Sequence, residues 1–141
     1  MRLIQTVNRN GLPEFFDEFL HIPDCNEKTK SYIISVFTDI TSENDFSNQS
    51  VTLLYATAHE KISFNEFKNI GDWLFLTKSL FPDSLQGASP AYYNAIAQSS
   101  YYKCYLLLNR QWLLFEELAD QFPVYTQTIH AALPPSLSAG T

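Results

Sequence analysis

Between Ser84 and Asn109 this chain carries one charged side chain, Lys103, and Tyr92, Tyr93, Tyr101, Tyr102 and Tyr105 crowd into residues 92–105 of that stretch. A segment so bare of charge gains nothing from lying open to water along its length, so it has to be covered on more than one flank. Ser89 followed by Pro90 reads as a helix cap and first helical position. The spacing then predicts a helix over Pro90–Leu108. At about 100° per residue, Asn94, Gln98, Tyr101 and Tyr105 form one stripe, with Tyr92, Tyr93, Ile96, Ser100, Cys104 and Leu107 roughly opposite. Such a helix belongs in the middle of a bundle or at an interface, and we expect it to be the central one.

The segments around it read as amphipathic helices. Pro13 opens a short one with Phe15, Phe16, Phe19 and Leu20 on its apolar side, stopped by Pro23. A second, from about Glu27 to Ile40, presents Tyr32, Ile33, Val36, Phe37 and Ile40 at helical spacing. Residues 41–50 are polar and form a connecting loop. Val51–Lys61 is a third helix. Ser63 and Glu66 have the spacing of a capping box, and Ile62 and Phe67 that of a hydrophobic staple. The helix they start runs to about Phe81, before Pro82 and a loop to Ala88. Its apolar side holds Phe64, Phe67, Ile70, Leu74, Phe75 and Phe81, and its polar side Asn65, Lys68, Asn69, Asp72 and Ser79. Gly71 near the apolar side costs about 1 kcal/mol against alanine, which close approach of a neighbouring helix would explain. Asn109-Arg110 marks either a turn or a continuing helix. Trp112, Phe115, Leu118, Ala119 and Phe122 then share a face, Pro123 interrupts, and 124–132 adds a last short helix. Leu3–Val7 is the one strand candidate. The expectation is an all-α, single-domain bundle of about five to seven helices over 1–132, with a flexible tail at 133–141.

Composition narrows the function classes. The chain has 141 residues, one domain's length, enough to bury roughly two-thirds of its unfolded surface without a metal or disulfide. Nine basic against 15 acidic side chains leave a net charge of −6, which repels polyphosphate, so no nucleic-acid partner is expected. No stretch approaches the roughly 20 apolar residues of a membrane span, and the first residues lack the apolar core of a secretion signal. Cys25 and Cys104 are far apart and read as free thiols of a reducing cytoplasm.

The chemistry-bearing motifs are mostly missing. Four glycines spread through the chain make neither a dinucleotide nor a phosphate-loop fingerprint. His59-Glu60 is followed by Ser63 where a zinc helix needs its second histidine, so no metal or other cofactor is expected. His21, His59 and His130 read as exposed or capping residues. Asp72 reads as a polar-face carboxylate paired with Lys68 one turn away, or else as a buried carboxylate bonded by a tyrosine hydroxyl. Glu116, Glu117 and Asp120 read as a solvated face. The tyrosines fit two readings equally. They line a pocket or interface, or they pack in the core with hydroxyls on backbone, Asn94 or Gln98.

Gly71-Asp72-Trp73-Leu74-Phe75 through Phe81-Pro82, then Tyr92-Tyr93 and Tyr101, then Phe115-Glu116-Glu117-Leu118-Ala119 and Phe122, resemble a group of bacterial helical proteins of unknown function. The resemblance implies a bacterial, intracellular, all-helical chain and carries no catalytic role with it. The leading expectation is a non-enzymatic cytoplasmic interaction protein, with a homodimer through the tyrosine-rich helix as one form of it. The alternative is a binder of a small apolar molecule, or a small helical enzyme, with its pocket between the 63–81 and 90–108 helices. Asp72, Tyr92, Tyr93, Asn94, Gln98, Tyr101 and Tyr105 are the candidate pocket or interface residues.

Overall fold

The computed structural model describes residues 25–39 and 50–133. The proposed Pro13 helix, the Leu3–Val7 strand, most of the 41–50 loop and the tail beyond Leu133 lie outside them. Within the described residues the chain forms five α-helices and no strand: α1 (Glu27–Asp39), α2 (Val51–Lys61), α3 (Phe64–Leu80), α4 (Pro90–Leu107) and α5 (Leu113–Ala132), with a 3₁₀ turn at Pro82–Ser84. Helices α3, α4 and α5 pack on one another, α2 lies against α3, and α1 rests on α5 and α3.

The helices start where capping chemistry sets them. Ser50, Ser63 and Ser89 accept the backbone N–H groups of Leu53, Glu66 and Tyr92 at 3.3, 3.3 and 3.2 Å. Each bond satisfies an amide that has no intrahelical partner. The other half of the expected capping box does not form. Glu66 turns to Lys61, 3.3 Å away, and the Ser63 N–H bonds to the Ala58 carbonyl. The staple is absent too. Ile62 sits in the left-handed region (φ 50°) as the cap that ends α2, and 69% of it is exposed. Closing one helix and opening the next within two residues points its side chain at solvent.

Helix α3, rather than the uncharged α4, is the most enclosed. Every residue from Ile70 to Thr77 is buried, so the face read as polar is covered as well. Leu74, Leu76, Phe75 and Phe67 centre the core together with Tyr101, Phe122, Leu118 and Ile129. Aromatic rings meet edge to face across the seams, as in Phe75 with Phe37 at 6.1 Å and with Phe122 at 5.7 Å. At Gly71 the Tyr101 side chain of α4 packs close against the α3 backbone. A Cβ there would stand 2.9 to 3.1 Å from ring carbons of the fully buried Tyr101.

Asn109 and Arg110 form a turn, both with positive φ (57° and 59°), and the Arg110 N–H returns to the Tyr105 carbonyl at 2.9 Å. Helix α5 then runs unbroken through Pro123. Proline at 123 removes the bond that the Ala119 carbonyl would otherwise accept and pushes that carbonyl aside. Gln98 of α4 supplies the replacement: its Nε2 donates to the Ala119 oxygen at 2.9 Å. Thr126 Oγ1 donates to the Phe122 and Pro123 carbonyls at 2.9 and 3.2 Å. The proline therefore does not interrupt the helix, because a neighbour satisfies the group it orphans.

Candidate functional site

Asp72 is the most densely bonded polar group among the described residues. It sits one turn after Lys68 on α3, beside Gly71, at the level where α1 and α4 both meet that helix. The Tyr32 hydroxyl of α1 donates to Oδ1 and Oδ2 at 2.8 and 2.9 Å. Tyr101 of α4 donates to Oδ1 at 2.8 Å, and Lys68 Nζ donates to Oδ2 at 2.9 Å. Lys68 also lies 5.5 Å from the Tyr32 ring centroid, and that ring meets Phe115 edge-on at 5.5 Å. Burial lifts the Asp72 carboxyl above its ordinary value of 3.8, against the lowering effect of Lys68 and the two phenols. The Tyr101 phenol is raised by burial and by the carboxylate it faces. Asp72 is thus a buried carboxylate held by two tyrosines, the second of the two readings, and the polar-face reading is corrected. The expected ion pair with Lys68 is present. The error arose because a helical wheel shows which residues share a side, not that α1 covers that side.

These bonds take up both Asp72 oxygens with side chains of the chain itself, so the arrangement ties α1, α3 and α4 together. Between α3 and α4 the Tyr101 ring fills the space beside Gly71. Of the seven candidate pocket or interface residues, Asp72 and Tyr101 meet directly. The Tyr93 hydroxyl instead lies over Gly87 in the loop before α4, 2.9 Å from where a Cβ would stand. Tyr92 shares a hydrogen bond with Thr52 of α2, as Ser99 does with Tyr55. Gln98 caps the orphaned Ala119 carbonyl. Asn94 is half-buried, and its Oδ1 has no partner among the described residues. Tyr105 is buried, with its ring 5.8 Å from that of the more exposed Tyr102. Most of this row is therefore engaged within the bundle.

A second carboxylate repeats the pattern at the start of α5. Glu117 accepts from the Asn26 N–H at 3.2 Å, from Thr29 Oγ1 at 2.7 Å, and from the Tyr125 hydroxyl. Reading Glu117 as part of a solvated face is also corrected, since it ties α1 to α5. The nearby Cys25 thiol is pushed up to about 11 by burial and by Glu117, and the buried Cys104 to about 12 by burial and Asp72. Both stay protonated and unreactive at neutral pH. The sequence reading missed Tyr32 and Glu117. A hydroxyl on the apolar stripe of α1 does demand an acceptor, but nothing local says which one.

Beside Glu117 an open groove of about 810 Å³ runs between the first turns of α1 and α5. Asn26, Lys28, Thr29 and Tyr32 line one wall, and Trp112, Leu113 and Glu117 the other. Trp112 was expected on the buried face of the last helix. It stands instead before the helix, 55% exposed, with Leu113 65% exposed beside it. The left-handed turn at Asn109-Arg110 is what places them there.

His59 packs edge-on against Tyr55 and Phe67, at 4.5 and 5.1 Å, and His130 Nδ1 lies 3.0 Å from the Ser79 carbonyl oxygen. No cluster of metal-ligating side chains occurs among the described residues. No described helix is long and apolar enough to cross a membrane. No family model, curated protein or solved structure matches this chain.

Proposed function

We propose that this chain is a non-enzymatic interaction protein that pairs with a second copy of itself through the groove face. The observation that carries this reading is the exposure of Trp112 and Leu113 beside a hollow of about 810 Å³. Covering a large apolar side chain is worth roughly 1.5–3 kcal/mol. A protruding indole next to a hollow is self-complementary, because in a two-fold pair each copy's Trp112 can seat in the other's groove. The contact surface moves from the tyrosine-rich helix to the start of α5, since Tyr93, Tyr101 and Tyr105 already face inward. A bacterial cytoplasmic setting belongs to the same proposal, supported by the free thiols Cys25 and Cys104 and by the sequence resemblance.

Sedimentation velocity across micromolar concentrations tests it. Each copy carries a net charge of −6, so pairing strengthens as salt screens the repulsion. Trp112→Ser and Leu113→Ser abolish it. A monomer at every concentration and salt level refutes the proposal.

One observation favours a second reading, an apolar small-molecule binder. The groove volume falls in the range of roughly 300–1,000 Å³ typical of small-ligand sites. An apolar fluorescent probe that binds the monomer, and loses that binding with Trp112→Ser, supports this reading over self-association.

A further inference from the structure

Helix α1 is joined to the bundle by catches on two different helices. Tyr32 is held by Asp72 of α3, while Thr29 and Asn26 are held by Glu117 of α5. Its apolar contribution is modest: Ile33, Val36 and Phe37 are buried, with Phe37 meeting Phe75. Helices α3, α4 and α5, by contrast, pack closely on one another and supply most of the core, including Leu74, Leu76, Tyr101, Leu118 and Phe122, which α1 joins from one side. An outer helix with few buried apolar side chains opens at a lower free energy than the core it covers.

We propose that α1 opens as a unit of its own, released when the Asp72 and Glu117 catches let go, and that it is the movable wall of the groove. Asn26, Lys28, Thr29 and Tyr32 belong both to α1 with its leading residues and to the groove lining, so swinging α1 out widens the hollow. Tyr32 links the two places directly, with its hydroxyl on Asp72 and its side chain in the groove wall. An occupant that displaces Tyr32 thereby weakens the Asp72 catch. Helix α1 also opens with the groove empty, so its opening is measurable whether or not the groove pairs with a second copy.

Native-state hydrogen exchange of the full chain, followed against urea, tests this. The amides of 31–39 exchange about a hundred-fold faster than those of 70–77, with a shallower urea dependence, because opening α1 exposes little surface. Tyr32→Phe and Glu117→Gln each speed α1 exchange about ten-fold further, the loss of a hydrogen bond to a charged group. Gln98→Leu, which weakens the α4–α5 contact, speeds exchange in the core helices and leaves α1 unchanged. Two results overturn the proposal: α1 and core amides exchanging together with equal urea dependence, or Gln98→Leu accelerating α1 as much as Tyr32→Phe does.

Discussion

Substituting Gln98 by leucine removes the amide that serves the Ala119 carbonyl while keeping the side chain's bulk. The bond is 2.9 Å long and Ala119 is buried. Pro123 has no N–H to offer, so the carbonyl oxygen is left without its donor in a site poor in water. An orphaned buried acceptor costs about 1–3 kcal/mol. For a domain of this size that corresponds to a fall in Tm of roughly 3–10 °C. The sharper test is a cycle with Pro123→Ala, which returns an N–H to the helix ladder at the Ala119 carbonyl. In that background Gln98→Leu costs under about 1 kcal/mol, giving a coupling of about 1–2 kcal/mol between two side chains on different helices. Urea unfolding of the four proteins, with m-values checked for constancy, measures it. Equal costs of Gln98→Leu with and without the proline refute the reasoning. Gln98 would then matter for some reason other than the carbonyl.

Three further substitutions read the Asp72 level and the α2–α3 junction. Tyr101→Phe keeps the ring and removes one donor to a buried carboxylate, so urea melts show a loss of about 1.5–3 kcal/mol. Gly71→Ala drives a methyl into the Tyr101 ring, and overpacking lowers stability by about 1–3 kcal/mol in the same assay. Ile62→Gly relieves a branched residue at positive φ and removes exposed apolar surface, so it raises stability by about 1 kcal/mol. Asp72 also sets a pH dependence. Its folded pKa is raised, so the folded state binds its proton more tightly than the unfolded chain does. Its contribution is then most favourable in acid and is lost as pH rises through the folded pKa. The stability of the wild-type protein relative to Asp72→Asn therefore increases as pH falls from neutral toward the unfolded carboxyl value. A difference that shrinks on acidification contradicts the assignment.

The sequence made the helices legible because capping and periodicity act locally. Ser63, Ser89 and Pro90 mark helix starts by chemistry that operates within three residues, and the structure bears out all three. Gly71 announced a close neighbour for the same kind of reason, since its cost inside a helix needs a compensating contact. The errors at Asp72, Glu117 and Pro123 come from contacts between helices. Asp72 and Glu117 lie on what a wheel shows as polar faces, and only the position of α1 reveals that each is covered. Pro123 breaks a helix by local rules, but a glutamine 25 positions earlier in the chain removes the penalty. Trp112 fitted the periodicity of α5, but the turn before it reverses the chain and leaves the indole outside. Of the tyrosine row, Tyr93, Tyr101 and Tyr105 are buried while Tyr102 is 41% exposed, and the two proposed uses of the row differ only in where the hydroxyls point. That is decided by helix packing.

The phenols at Asp72 join α1, α3 and α4, and ultraviolet titration of the folded protein reports their state directly. The phenols of Tyr32 and Tyr101 are raised far above their ordinary value of 10.0 by burial and by the carboxylate. They stay protonated until alkali unfolds the helices. In the folded protein, Tyr101→Phe therefore leaves the phenolate absorbance unchanged up to the unfolding step, because that residue contributes none. If all eight tyrosines ionise together near pH 10 while the helical circular dichroism persists, and Tyr101→Phe removes an eighth of the signal, Asp72 is not held as described.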